Sequence, residues 1–230
     1  MGMKQVKKIA IAAGMLAMVS GANAANLNSV YIDQVGSSST IGITQNGSGN
    51  EAGNSTTSMT MSGTGQNISI EQVGSNNIAA VNVQGGNATL NSTVTGSNNS
   101  VTVNCGATPT TSCTDTSITA DATGDGNTLS TTATAKSTVS TTVTGDNNTA
   151  TINSNTTNLM GANASITATG NSNNMSINQS GPAGANGFSA SMSVTGDSNT
   201  VGITQTGTVD SDVQVNTSGS NNSITVNSGN

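Results

Sequence analysis

The residues able to do chemistry in this 230-residue chain are few in kind: no His, no Arg, two Cys and ten carboxylates, in a background rich in amides and hydroxyls. No Ser stands beside a base, so the parts of a nucleophilic or acid–base centre are missing. The chain reads as a non-enzyme with no cofactor and no small-molecule substrate. Cys105 and Cys113 bracket CGATPTTSC. In an exported chain two cysteines this close form a disulfide; a metal site would want more ligands, and the CxxC redox spacing is absent. Asp125, Asp146 and Asp197 each follow a glycine, which suggests a calcium-binding row, but one carboxylate per corner without paired glycines favours solvated turn acids. The last set is amides at recurring positions: Gln34, Gln45, Gln72, Gln179 and Gln205, with Asn77, Asn99, Asn127, Asn148, Asn173, Asn199 and Asn222. An amide both donates and accepts, so one placed above its copy on a neighbouring strand extends a hydrogen-bonded ladder.

Such ladders need elements that repeat in register. Residues 166–181, ITATGNSNNMSINQSG, alternate small or apolar with polar side chains, turn at a Gly-x-x-Asn corner, and resume alternation at Met175, Ile177 and Gln179. Period-2 runs joined by Gly and Asn predict strand, tight turn, strand. Comparable units are centred on Gly36, Gly63, Gly74, Gly96, Gly124, Gly145, Gly170, Gly196 and Gly219. The third residue after the glycine is Asn except at Ser39 and Gln66, the fifth is always apolar, and the seventh is apolar except at Thr131. One face of each strand is therefore dry and the other wet. A single such unit buries too little to stand alone, and repetition lets each be completed by its neighbours. The prediction is an all-β fold, a β-solenoid of stacked strand-turn-strand repeats with amyloid-like cross-β geometry, of about eight or nine coils. Asn at the corner is suited to a left-handed backbone. Residues 46–56 leave open whether they hold a further strand.

The N-terminus carries Lys4, Lys7 and Lys8, an apolar stretch over residues 9–19 and Ala22-Asn23-Ala24. This is the pattern of a signal peptide, residues 1–24, leaving residues 25–230 as one exported repeat domain. Beyond residue 24 Lys136 is the only basic side chain against ten acidic ones, and Tyr31 and Phe188 are the only aromatics. Phosphate neutralisation and base stacking have nothing to carry them, which excludes nucleic acid as a partner.

The register resembles the curlin repeat of curli fibre subunits, Ser-x5-Gln-x-Gly-x-x-Asn-x-Ala-x3-Gln. Gln34-Val35-Gly36 with Ile41 and Gln45 carries the resemblance, as do Gln72-Val73-Gly74 with Asn77 and Ala79, Gly170 with Asn173 and Gln179, and Gly196 with Asn199 and Gln205. The resemblance implies a divergent curli-like functional amyloid: a structural subunit of a biofilm or adhesive fibre, secreted to the cell surface. Its partners would be copies of itself, a nucleator subunit and an outer-membrane export apparatus. Assembly would be head-to-tail, with the first strand, holding Ile32 and Gln34, meeting the last, where Ile32 stacks on Ile224 or Val226. The competing readings are a monomeric secreted β-solenoid adhesin or ice-binding protein, the latter from Thr tracts such as residues 131–134, and a disordered surface coat.

Overall fold

The computed structural model describes residues 6–10, 16–20, 27–53, 59–84, 88–104, 106, 116–133, 137–156, 162–181, 188–207 and 211–229. Cys105 and Cys113 lie outside the described residues. Every element is a strand: β1 (Val6–Ala10), β2 (Leu16–Ser20), β3 (Ser29–Ser37), β4 (Thr40–Ser48), β5 (Glu51–Ala52), β6 (Met59–Thr64) and β7 (Asn67–Ser75). Then follow β8 (Ile78–Gln84), β9 (Thr89–Ser97), β10 (Ser100–Asn104), β11 (Ser117–Thr123), β12 (Thr128–Ala133), β13 (Ser137–Thr142), β14 (Thr149–Thr156) and β15 (Ala162–Thr167). The last are β16 (Asn174–Gly181), β17 (Phe188–Ser191), β18 (Val194–Thr195), β19 (Thr200–Thr206), β20 (Ser211–Gln214), β21 (Thr217–Ser218) and β22 (Ser223–Gly229).

These strands stack as two long parallel sheets that the chain visits alternately, with β18 and β21 pairing with each other as a short third. The first sheet runs β1-β3-β5-β8-β10-β12-β14-β16-β19-β22, with β6 continuing the short β5 as one interrupted rung; the second runs β2-β4-β7-β9-β11-β13-β15-β17-β20. The architecture is a β-solenoid. Its turn count differs slightly from eight or nine: β1 and β2 pair with β3 and β4 and add a rung at one end, and β22 is the last described rung of the first sheet at the other. The open stretch at residues 46–56 contains β5, paired through Ala52 with Val30 and Ala79.

The alternation decides what is buried. In β4 the inward Ile41 and Ile43 are 1% exposed, and Ile68 and Ile70 of β7 pair directly above them. The same pairing carries Val101, Leu129, Ala150, Met175 and Val201 in one continuous column of the other sheet. Burial of about 25 cal/mol per Å2 of apolar surface is the main stabilising term, and stacking delivers it without large aromatics. Thr131, the polar exception at its position, occupies the core all the same, and its hydroxyl has no partner among the described residues.

Candidate functional site

The two corners of each coil are different. Gly47, Gly74, Gly96, Gly124, Gly145, Gly170, Gly196 and Gly219 turn the chain from the second sheet into the first. Each but the last sits below the carbonyl of the next in the series: a Cβ on Gly145 would run into the Gly170 oxygen, at a φ of +97°. Gly36 and Gly63, by contrast, pair with each other on the first sheet, before the opposite corner. Ser39 and Gln66 are thus not irregular members of the Asn column; they follow the other corner, where the Asn requirement does not apply. The left-handed residue also differs from expectation. It is the second after the glycine (Asn76, Asn98, Asn147, Ser172, Ser198, Asn221), not the Asn at the third.

That third Asn is placed by its side chain. From Asn50 onward each Asn of the column donates its backbone N–H to Oδ1 of the Asn one rung earlier, at 2.8–3.1 Å. From Asn28 to Asn199 each Nδ2 donates forward to the corner glycine carbonyl one rung later, at 2.7–3.0 Å. The interior members are 0–1% exposed, so these bonds form away from water and are worth more than surface ones. Asn28 and Asn50 begin the column. Asn50 carried its own signal, Gly47-Ser-Gly-Asn50; Asn28 has no corner glycine before it.

The glutamines form two separate pairs on opposite sheets. Gln45 Nε2 donates to Gln72 Oε1 at 2.8 Å in the second sheet, and Gln179 Nε2 to Gln205 Oε1 at 2.7 Å in the first. Gln72 Nε2 then donates to the Glu51 and Asn77 carbonyls, and Gln205 Nε2 to those of Ser189 and Ser211. The Gln34 side chain lies outside the described residues. No group of three or more metal-ligating side chains occurs among the described residues. The corner acids are exposed but not idle. Asp125, Asp146, Asn171 and Asp197 each accept on Oδ1 a backbone N–H from the rung before, at 2.7–2.8 Å, so a second ladder runs beside the Asn column.

The ladders and sheets end at two edges. At the C-terminal end Ile224 and Val226 pack on the core but stay partly exposed, and no described residue donates to Asn222 Oδ1. At the N-terminal end Val30, Ile32, Ile41 and Ile43 face β1 and β2, the segments of the predicted leader. The chain matches no family model, no curated protein and no solved structure.

Proposed function

We propose that the chain is a structural subunit of an extracellular filament, a curli-like functional amyloid of biofilm or adhesion that grows by head-to-tail stacking of solenoids. The observation that carries this reading is the C-terminal edge. Among the described strands β22 lies at the edge of the first sheet, paired on one side only, with β19; Ile224 and Val226 pack on the core but stay partly exposed, and no described residue donates to Asn222 Oδ1. Natural proteins usually blunt such an edge with charge, proline or a covering element, and β22, SITVNSG, has none of these. The N-terminal edge offers parallel strands of the same in-out phase once residues 1–24 are removed, the processing read from the leader pattern. Localisation outside the cell, and a nucleator and export apparatus as partners, belong to the same proposal and rest on the resemblance to curlin repeats.

The test is sedimentation and fibre diffraction on the purified chain freed of residues 1–24. Growth into sedimenting filaments with reflections near 4.8 Å and about 10 Å is the expected result. A chain that stays monomeric at micromolar concentration overturns the proposal in favour of a free-standing adhesin or ice-binding solenoid.

A further inference from the structure

Resting on the filament reading, we infer that the leader segment is an intramolecular cap: β1 and β2 occupy the docking edge of β3 and β4, and the chain cannot join a filament through that edge until they are removed. The inference comes from a contrast between two edges. Val30 and Ile224 stand at opposite ends of one inward column, yet Val30 is 5% exposed while Ile224 stays partly exposed. Ile32, Ile41 and Ile43 are as dry as Val30. The strands that pair with theirs on the outer side belong to the leader. Val6 and Ile9 of β1 are in register with Val30 and Ile32, and Ala17 and Val19 of β2 with Ile41 and Ile43. Both pairings are parallel, so the leader takes the place of a further rung in both sheets at once.

The rung that the leader adds is itself a poor base for growth. β1 and β2 have five residues each, against nine in β3 and in β4. β1 also contains Lys7 and Lys8, and its pairing is broken by a bulge between Val6 and Lys8. Short strands, lysines and bulges are the devices that keep a sheet edge from pairing with another chain. The two halves of the leader thus divide the work, the apolar stretch covering β4 and the basic stretch blunting the edge it adds over β3. A chain that still carries its leader keeps this edge closed, and processing opens it.

Hydrogen exchange reads the cap on the monomer, independently of any filament. Thr40 donates its backbone N–H to the Gln66 carbonyl on the following rung, so alternation turns the Ile41 and Ile43 N–H groups toward β2. The full chain is compared with the same chain cut at a protease site placed after Ala24 and freed of its leader by gel filtration, at concentrations too low for either to sediment. Removal of the leader is expected to speed exchange at Ile41 and Ile43 by about tenfold or more and to leave Ile68 and Ile70 of the next rung unchanged. Equal exchange before and after cutting overturns the cap. In seeded growth the uncut chain is expected to elongate at least about tenfold more slowly than the cut one, since its docking edge is occupied. Ile9→Asp with Val19→Asp puts charges in the dry phase of the leader strands and should bring the uncut chain close to the cut rate, as should replacing residues 1–24 by a Gly-Ser segment of equal length. Slow growth of both replacements overturns the cap, because any N-terminal extension would then block by bulk alone. Absence of filaments from cut chain whose Ile41 and Ile43 amides have opened overturns the filament reading and leaves the cap standing.

Discussion

The fold moves the titration of the Asp121 carboxyl. It stands on the outer face of β11 in register with Thr93, half-buried, and burial pushes its carboxyl above the ordinary value, partly opposed by a hydrogen bond from Thr142. The folded state therefore holds the proton more tightly than the unfolded chain does. The associated stability is fully present below the ordinary carboxylate value of about 3.9 and is lost as pH rises through the higher folded value. At neutral pH the charged Asp121 is a cost. Asp121→Asn, which keeps an acceptor for Thr142, is expected to raise the urea midpoint at pH 7 and to leave it unchanged near pH 3. An equal shift at both values would show that the change acts through packing and not through charge.

At the scale of the element, the corner does more than reverse the chain. Asn148 Nδ2 reaches Asn127 Oδ1 and the Gly170 carbonyl, and its Oδ1 accepts both N–H groups of Asn173. Asn148→Ala strands several of these partners in a dry site and is expected to cost about 2–4 kcal/mol. Asn153→Ala, on the exposed face of β14, the strand that follows, should stay within about 0.5 kcal/mol. Equal midpoints for the two variants in urea melts would remove the ladder from the stability argument. Gly145→Ala meets a different obstacle, the Gly170 carbonyl in the space of its Cβ, and is expected to destabilise by about 3 kcal/mol or more. Wild-type stability would mean that the corner spacing relaxes freely.

Much of this element was legible in the sequence. Apolar residues five places after each glycine, and seven places after all but one, define the dry face, and an Asn three places after most of them marks a position under a single demand. What the sequence could not show is which corner a glycine serves. Strands of both sheets share the same period, so Gly36 and Gly63 read as equivalent to Gly74 until the pairing separates them. The glutamines misled for the same reason: Gln45 and Gln72 stand in the second sheet and Gln179 and Gln205 in the first, so one apparent ladder is two pairs. Nor was the +1 acid row readable as a ladder, since an exposed turn Asp carries the same signal whether or not it bonds the rung below.

For the whole molecule, the question is which groups at the C-terminal edge remain free to bind another copy. In the interior, the N–H four places after the corner glycine donates to the following rung, as Thr200 does to the Asn222 carbonyl and Thr149 to that of Asn173. Backbone alternation then turns the Ser223, Thr225 and Asn227 N–H groups outward from β22, and those of Ile224 and Val226 back toward β19. A proline at Val226 would damage the subunit; one at Thr225 removes a donor that only a docking copy would use. Thr225→Pro is therefore expected to leave the monomer's thermal midpoint nearly unchanged and to abolish its elongation. Its N-terminal edge is intact, so it should still add to the C-terminal end of a wild-type filament and stop growth there, slowing seeded elongation at substoichiometric amounts. If Thr225→Pro subunits extend seeds at the wild-type rate, the growth contact is not the β22 edge. Lateral association through the outer hydroxyl- and amide-rich faces then becomes the better account of assembly.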